Sequence, residues 1–138
     1  MRNVQYAALP YRVDDQGALE ILLVTSRRTR RWIIPKGWPI KGLQPAMAAA
    51  REAFEEAGVL GRVDDTAVGR FSYRKTIEKA DRVVDCEVVV FPLRVERQLA
   101  EWPEAGQRDL RWLSAETASD MADDDGLKVL IRALSADT

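Results

Sequence analysis

The chain has 138 residues, 46% of them hydrophobic and 31% charged, with a formal net charge of −1. That suits one domain around one core and gives no bulk attraction to nucleic acid or to a membrane. There is no His and one Cys, Cys86. This excludes Ser-His-Asp and Cys-His catalysis, His-ligated zinc, an internal disulfide and thiolate metal clusters.

Taken in chain order, Tyr6 to Val13 and Leu19 to Thr25 read as strands, and Asp14-Asp15-Gln16-Gly17 between them reads as the turn of a hairpin. Arg27-Arg28-Thr29-Arg30-Arg31 is a basic loop. Trp32-Ile33-Ile34 is a short strand stopped by Pro35 and Gly37, and Trp38 to Gln44, with Pro39 and Gly42, is a loop. Pro45 to Ala57 is the strongest helix signal. Pro45 suits the first helical position, the alanines favour helix, and Gly58 can end it in the left-handed conformation. Val68 to Lys75, Val83 to Val95 and Arg108 to Leu113 are strand-like, and Ser114 to Met121 and Gly126 to Ala136 are helical. Asp123-Asp124-Asp125 reads as a solvated loop, and Cys86, in the run Val83 to Phe91, as a buried structural thiol. Residues 1–138 are expected to form one domain of mixed α and β class with helices packed on a sheet. No run is long and apolar enough to span a membrane and the N-terminus has no signal pattern, so a cytoplasmic location is expected.

At about 100° per residue, Ala46, Met47, Ala50, Ala53, Phe54 and Ala57 share one face of the helix. Glu52, Glu55 and Glu56 share the opposite face with Ala48 and Ala49. Like charges at these spacings repel. Either water solvates them, or a hard dication such as Mg²⁺ gathers them, since it takes carboxylate oxygens while keeping several waters.

Gly37 through Val59 reads Gly-x5-Leu-x7-Arg-Glu-Ala-x-Glu-Glu-x-Gly-Val. This resembles the Nudix box, G-x5-E-x7-R-E-U-x-E-E-x-G-U, where U is aliphatic. Gly37, Arg51, Glu52, Glu55, Glu56 and Gly58 fall on fixed positions, Val59 fits the last U, and Ala53 fits the earlier U only as a small residue. Leu43 stands where the family has a Glu that helps to anchor the loop and the arginine. Pro35-Lys36-Gly37 looks like the entry to the box, and Arg111-Trp112-Leu113 like a late strand of the same fold. Within the superfamily the chain is most similar to the diphosphoinositol polyphosphate and diadenosine polyphosphate phosphohydrolase branch.

The resemblance implies an α+β fold, an α/β/α sandwich with a mixed sheet flanked by helices. It implies a metal-dependent hydrolase of a diphosphate linkage in a small phosphorylated compound, using Mg²⁺ or Mn²⁺. Dinucleoside polyphosphates and inositol pyrophosphates are the substrate classes expected. The 5′ end of RNA and a non-catalytic nucleotide-sensing module are the alternatives, and a homodimer is a family assembly.

By the same resemblance Glu55 and Glu56 are direct metal ligands, with the Lys36 backbone carbonyl as a further one. Glu52 is a ligand, an anchor behind the ligands, or the base that takes water's proton. Arg51 orients Glu52 or its neighbours, and Gly37 lets the loop approach closely. A further carboxylate from outside the box is expected; Glu104 is the candidate and Glu87 its alternative. Arg27, Arg28, Arg30, Arg31, Lys36 and Lys41, joined by Arg74 and Lys75, are candidate phosphate contacts, because the guanidinium fork matches phosphate. Trp38 and Tyr73 are candidates to stack on a base, or else to serve as core or rim.

Overall fold

The computed structural model describes residues 3–77 and 81–137. The expected hairpin forms from β1 (Asn3–Val13) and β2 (Leu19–Thr25), with Tyr11 opposite Ile21 and Val13 opposite Leu19. Its turn is closed by Asp14, whose carboxylate accepts the N–H groups of Gln16 (2.8 Å) and Ala18 (2.9 Å), while Gly17 takes φ 83°. No pairing of β1 with β2 extends beyond Tyr11 and Ile21. Two short strands fill the fork that opens there. β3 (Trp32–Ile33) lies along Val24–Thr25 of β2, and β4 (Lys36–Gly37) lies along Tyr6–Ala7 of β1. Between them the Pro35 carbonyl accepts the Ala8 N–H at 3.0 Å.

After β4 come α1 (Pro45–Ala57), β5 (Val59–Val63), β6 (Gly69–Ile77), β7 (Arg82–Gln98), β8 (Leu110–Ser114), α2 (Ala115–Met121) and α3 (Asp125–Ala136). The order β3-β2-β1-β7-β5 forms the spine of one sheet, and β8 pairs with β2. The long β7 runs parallel to β1 and antiparallel to both β6, on its first half, and β5, near its end. The sheet is therefore mixed.

Alternation along the strands divides the core into two layers. Ala7, Leu9, Ile21, Leu23, Val88 and Val90 pack against Leu127, Leu130, Ile131 and Leu134 of α3 and Ala118 of α2. Ala8, Leu22, Val24, Val89 and Phe91 pack against Ala46, Ala49, Ala53 and Ala57 of α1. A sheet covered on both faces explains why these strands read as continuous apolar runs. Each fully buried Leu or Val contributes about 1.5–3 kcal/mol. The expected α/β/α sandwich is the observed one. Among the described residues no helix is long and apolar enough to cross a membrane.

Three expectations need correction. The buried stripe of α1 contains Ala46, Ala48, Ala49, Ala53, Glu56 and Ala57, whereas Met47 is 51% exposed. The wheel was out of phase because alanine occupies every side of the helix and leaves little bulky apolar contrast to set its phase. Glu56 thus faces inward, not into bulk water. Secondly, β4 and β5 are strands that no alternation announced, being short and paired to distant chain. Thirdly, Asp123–Asp125 is not simply solvated. The Asp123 N–H donates to the Trp32 carbonyl (2.9 Å), Asp124 is half-buried at the N-cap of α3, and Asp125 opens that helix.

Candidate active site

The fork in the sheet brings the Lys36–Gly37 backbone against α1. A Cβ at position 37 would fall 2.6 and 2.7 Å from the carboxylate oxygens of Glu52. Only a residue without a side chain allows this approach. Glu52 is half-buried and Glu56, one turn further on, is 4% exposed. Burial pushes the Glu56 carboxyl up to about 8; Arg108 opposes the shift and Glu52 reinforces it. Burial also raises Glu52, while a hydrogen bond from Glu56 works the other way. Burial thus favours the protonated form of both, and the side-chain interaction between them favours the proton on Glu56. Neighbouring carboxylates raise one another's pKa, and a cation between them favours the ionised pair.

The end of α1 positions the outlying carboxylate. Gly58 takes φ 67° and its N–H donates to the Phe54 carbonyl (3.0 Å). The carbonyls of the last turn are then met from the segment after β7. Glu104 N–H donates to Glu55 (3.0 Å), Leu99 N–H to Gly58 (2.7 Å), and the Gln98 amide to Ala57 (2.9 Å) and Gly58 (3.1 Å). Trp102 lies over Gly58, where a Cβ would fall 2.8 Å from its Cγ.

This fastening sets Glu104 beside Arg108, a residue the sequence reading passed over as the start of a strand. Arg108 Nε and Nη2 donate to Glu104 Oε1 at 3.2 and 3.1 Å, Nη1 donates to the Thr25 carbonyl at 3.1 Å, and Nη2 lies 3.5 Å from Glu56 Oε1. The alternative outlying candidate, Glu87, is paired with Arg70 across β6 and β7.

Two of the three helix carboxylates converge. Glu55 instead lies 3.8 Å from Arg51, on a flank where both side chains are partly exposed. Of the two roles expected of Arg51, orienting Glu52 or its neighbours, its contact is with the neighbour: among the described residues it reaches Glu55. Among those residues no three acidic or thiol side chains form a ready cage. The donor set nonetheless fits Mg²⁺ or Mn²⁺. Glu52 against the Gly37 backbone and Glu56 one turn on offer hard oxygens on one side of α1, and Mg²⁺ is commonly held by one or two carboxylates and water.

Most of the expected basic cluster is engaged by protein. Arg30 donates to Asp109 and to the Gln107 carbonyl (both 3.1 Å), Arg31 to Asp123 (3.0 Å), and Arg27 to the Gln107 side chain (3.2 Å) while lying 3.9 Å from Glu104. Their first task is to clamp the loop before β3 onto the segments before β8 and α3. Arg28 and Lys41 are exposed, and Arg74 pairs with Asp85 (3.7 Å). Lys36 differs. Its ammonium sits 5.0 Å from the centre of the Tyr73 ring, and burial lowers it to about 8 against the pull of Glu56 and Asp124. Tyr73 donates to Gln5 (2.6 Å), and Trp38 is 43% exposed on the loop.

The family model of the NUDIX domain matches residues 2–134, and the chain belongs to the Nudix family. Its relatives include Nudix hydrolase 13, mitochondrial, of Arabidopsis thaliana, 34% identical over 79% of this chain and 56% of that protein. Another is diphosphoinositol polyphosphate phosphohydrolase 3-beta of Bos taurus, 35% identical over 72% of this chain and 57% of that protein. The chain thus spans a little over half the length of these two relatives. In fold it is similar to a C. elegans Ap4A hydrolase in a binary complex, with a TM-score of 0.70, 22% identity and coverage of 97% and 96% of the two chains. It is also similar in fold to the NUDIX domain of Shewanella oneidensis NrtR complexed with ADP ribose, with a TM-score of 0.73, 16% identity and coverage of 100% and 90%.

Proposed function

We propose that this single domain hydrolyses a diphosphate linkage in a small phosphorylated compound, with Mg²⁺ or Mn²⁺ as cofactor. The observation that carries the reading is the Glu52–Glu56 pair, converged beside the Lys36–Gly37 backbone on the Nudix motif. Glu52 and Glu56 hold the ion, with Glu55 and Glu104 flanking them and the Lys36 carbonyl as a backbone ligand. When bound, the ion neutralises phosphate oxygens and makes water a better nucleophile.

The chain's own groups do the rest. Glu52, half-buried against the Gly37 backbone, accepts the proton of the attacking water as the new P–O bond forms and the bridging P–O bond breaks, its oxygen leaving on the second phosphate. Lys36 is a half-buried cation set 5.0 Å from the centre of the Tyr73 ring, so it is suited to meet a phosphate oxygen. Tyr73 beside it offers a ring face to the remainder of the substrate. The names of the similar proteins favour dinucleoside polyphosphates and inositol pyrophosphates as the first compounds to test.

The test is product analysis after incubation with Mg²⁺ and a panel of dinucleoside polyphosphates, inositol pyrophosphate and 5′-triphosphorylated RNA. Turnover of one class selects the substrate. Tight binding without turnover of any would replace the hydrolase with a sensing module. Glu56→Gln should lower turnover by orders of magnitude while the protein stays folded.

A further inference from the structure

The arginine of the motif and the arginine before β8 have unequal surroundings. The Arg51 side chain is 53% exposed and, among the described residues, reaches only Glu55 Oε1, at 3.8 Å across one turn of α1. Leu43 offers it no charge. The Arg108 side chain is 9% exposed and serves three acceptors from three parts of the chain: the Thr25 carbonyl at the end of β2, Glu104 in the loop before β8, and Glu56 on α1. A planar fork with five N–H donors can hold three acceptors in fixed relation, which an ammonium cannot.

We propose that Arg108 is a positioning residue of the hydrolytic site. It fixes the carboxylates of Glu56 and Glu104 relative to each other, and so determines which oxygens the site presents to the metal ion. The inference rests on the hydrolase reading above. All the contacts to Glu104 fall on Oε1, so among the described residues Oε2 is left to face a ligand. The guanidinium itself is largely engaged. Nε, Nη1 and Nη2 each have a protein acceptor, and the side chain is 9% exposed, so it offers substrate phosphate little open surface. Its anchor is a backbone carbonyl, which does not move with the side chains it holds. Groups standing behind metal ligands in this way typically matter by about 10–100-fold in activity or metal affinity.

The experiment is steady-state kinetics in Mg²⁺ on the full chain for Arg108→Met, Arg108→Lys, Glu104→Gln and the double variant Arg108→Met with Glu104→Gln. Arg108→Met should lower kcat about 10–100-fold with KM changed by less than about threefold. Arg108→Lys, which keeps the charge without the fork, should recover little of the loss. The double variant should be hardly worse than the poorer single one, since the two residues act as a unit. A rise in KM with kcat intact would make Arg108 a substrate contact, and additive losses would make it independent of Glu104; either overturns the proposal. Should Arg108→Met not fold, Arg108→Lys carries the same comparison. Direct Mn²⁺ titration separates this proposal from the hydrolase reading, because it needs no turnover. Arg108→Lys should bind Mn²⁺ about tenfold or more weaker than the parent chain. Equal or tighter binding would sink the positioning role even in an active enzyme.

Discussion

The Trp102 ring lies against Gly58, the left-handed residue that ends α1. The contact couples the C-terminus of the acidic helix to the loop that carries Glu104. A side chain at position 58 would meet both a strained φ and the indole. Gly58→Ala should therefore cost about 1–3 kcal/mol of stability. It should also lower activity more than the lost stability explains, because the displaced loop takes Glu104 with it. Thermal midpoints and specific activity at a temperature well below both midpoints would check this.

Trp102 itself offers a sharper comparison. Its Nε1 is buried and has no hydrogen-bond partner among the described residues. Phe at this position keeps a ring over Gly58 and removes the orphaned donor, so Trp102→Phe should stay within about 1 kcal/mol of the parent. Trp102→Ala should lose about 3 kcal/mol by leaving a cavity. Urea unfolding of the two variants would measure both.

Gly37 is constrained by Glu52 and not by its own φ, which lies outside the positive range. Gly37→Ala should therefore move the Glu52 carboxylate and leave the backbone unstrained. The expected result is a loss of activity of about 10–100-fold with a thermal midpoint close to the parent's. A large drop in midpoint with proportionate activity loss would contradict it.

The metal-free protein should lose stability as pH rises. The folded-state value of Glu56 stands near 8, against an ordinary 4.5, so between these limits the folded chain binds more protons than the unfolded one. Stability contributed by the protonated carboxyl is present below about 4.5 and lost through about 8. Lys36, lowered to about 8 from 10.5, acts in the opposite sense: its penalty is full below about 8 and is relieved above it. Unfolding free energy without metal should thus fall from mildly acid pH to about 8. Glu56→Gln should flatten the slope, and Mg²⁺ should stabilise more at pH 8 than at pH 5. Chelation of the ion at pH 8 should return the lower midpoint. Denaturant titrations across pH, with and without Mg²⁺, would show it.

Local signals were enough to read α1, whose Pro45 start and Gly58 stop are observed as expected, and the β1–β2 hairpin, whose turn residues sit between two apolar runs. The helices on both faces of the sheet came with the Nudix resemblance, and the apolar runs Ile21–Val24 and Val88–Phe91 are what such a covered sheet requires. What the sequence could not disclose was long-range pairing. β4 and β5 are too short for a period, and each owes its extended backbone to a partner, β1 or β7, far away in the chain. The phase of α1 was misread because alanine faces every direction and the one buried acidic residue looked like a solvent-facing one. Arg108 escaped notice because nothing near it in sequence distinguishes it from a surface arginine; its partners on β2 and α1 become neighbours only when the sheet forms. The arginines from Arg27 to Arg31 show the converse: a dense local cluster whose charges are largely taken up by Gln107, Asp109 and Asp123.

The strands on either side of α1 have a mechanical consequence. β4, before it, is hydrogen-bonded to β1, and β5, after it, to β7, and β1 and β7 are themselves adjacent and parallel. The acidic helix is thereby moored at both ends to neighbouring members of one ladder, and it cannot slide or tilt without shearing backbone pairs. It forms a stationary jaw. Residues 26–31 and 99–107 are held by Asp109, Asp123 and the end of α1, so adjustment to compounds of different size falls to the connector of residues 38–44. Amide exchange should accordingly be slowest along Ala53–Ala57 and fastest in residues 38–44.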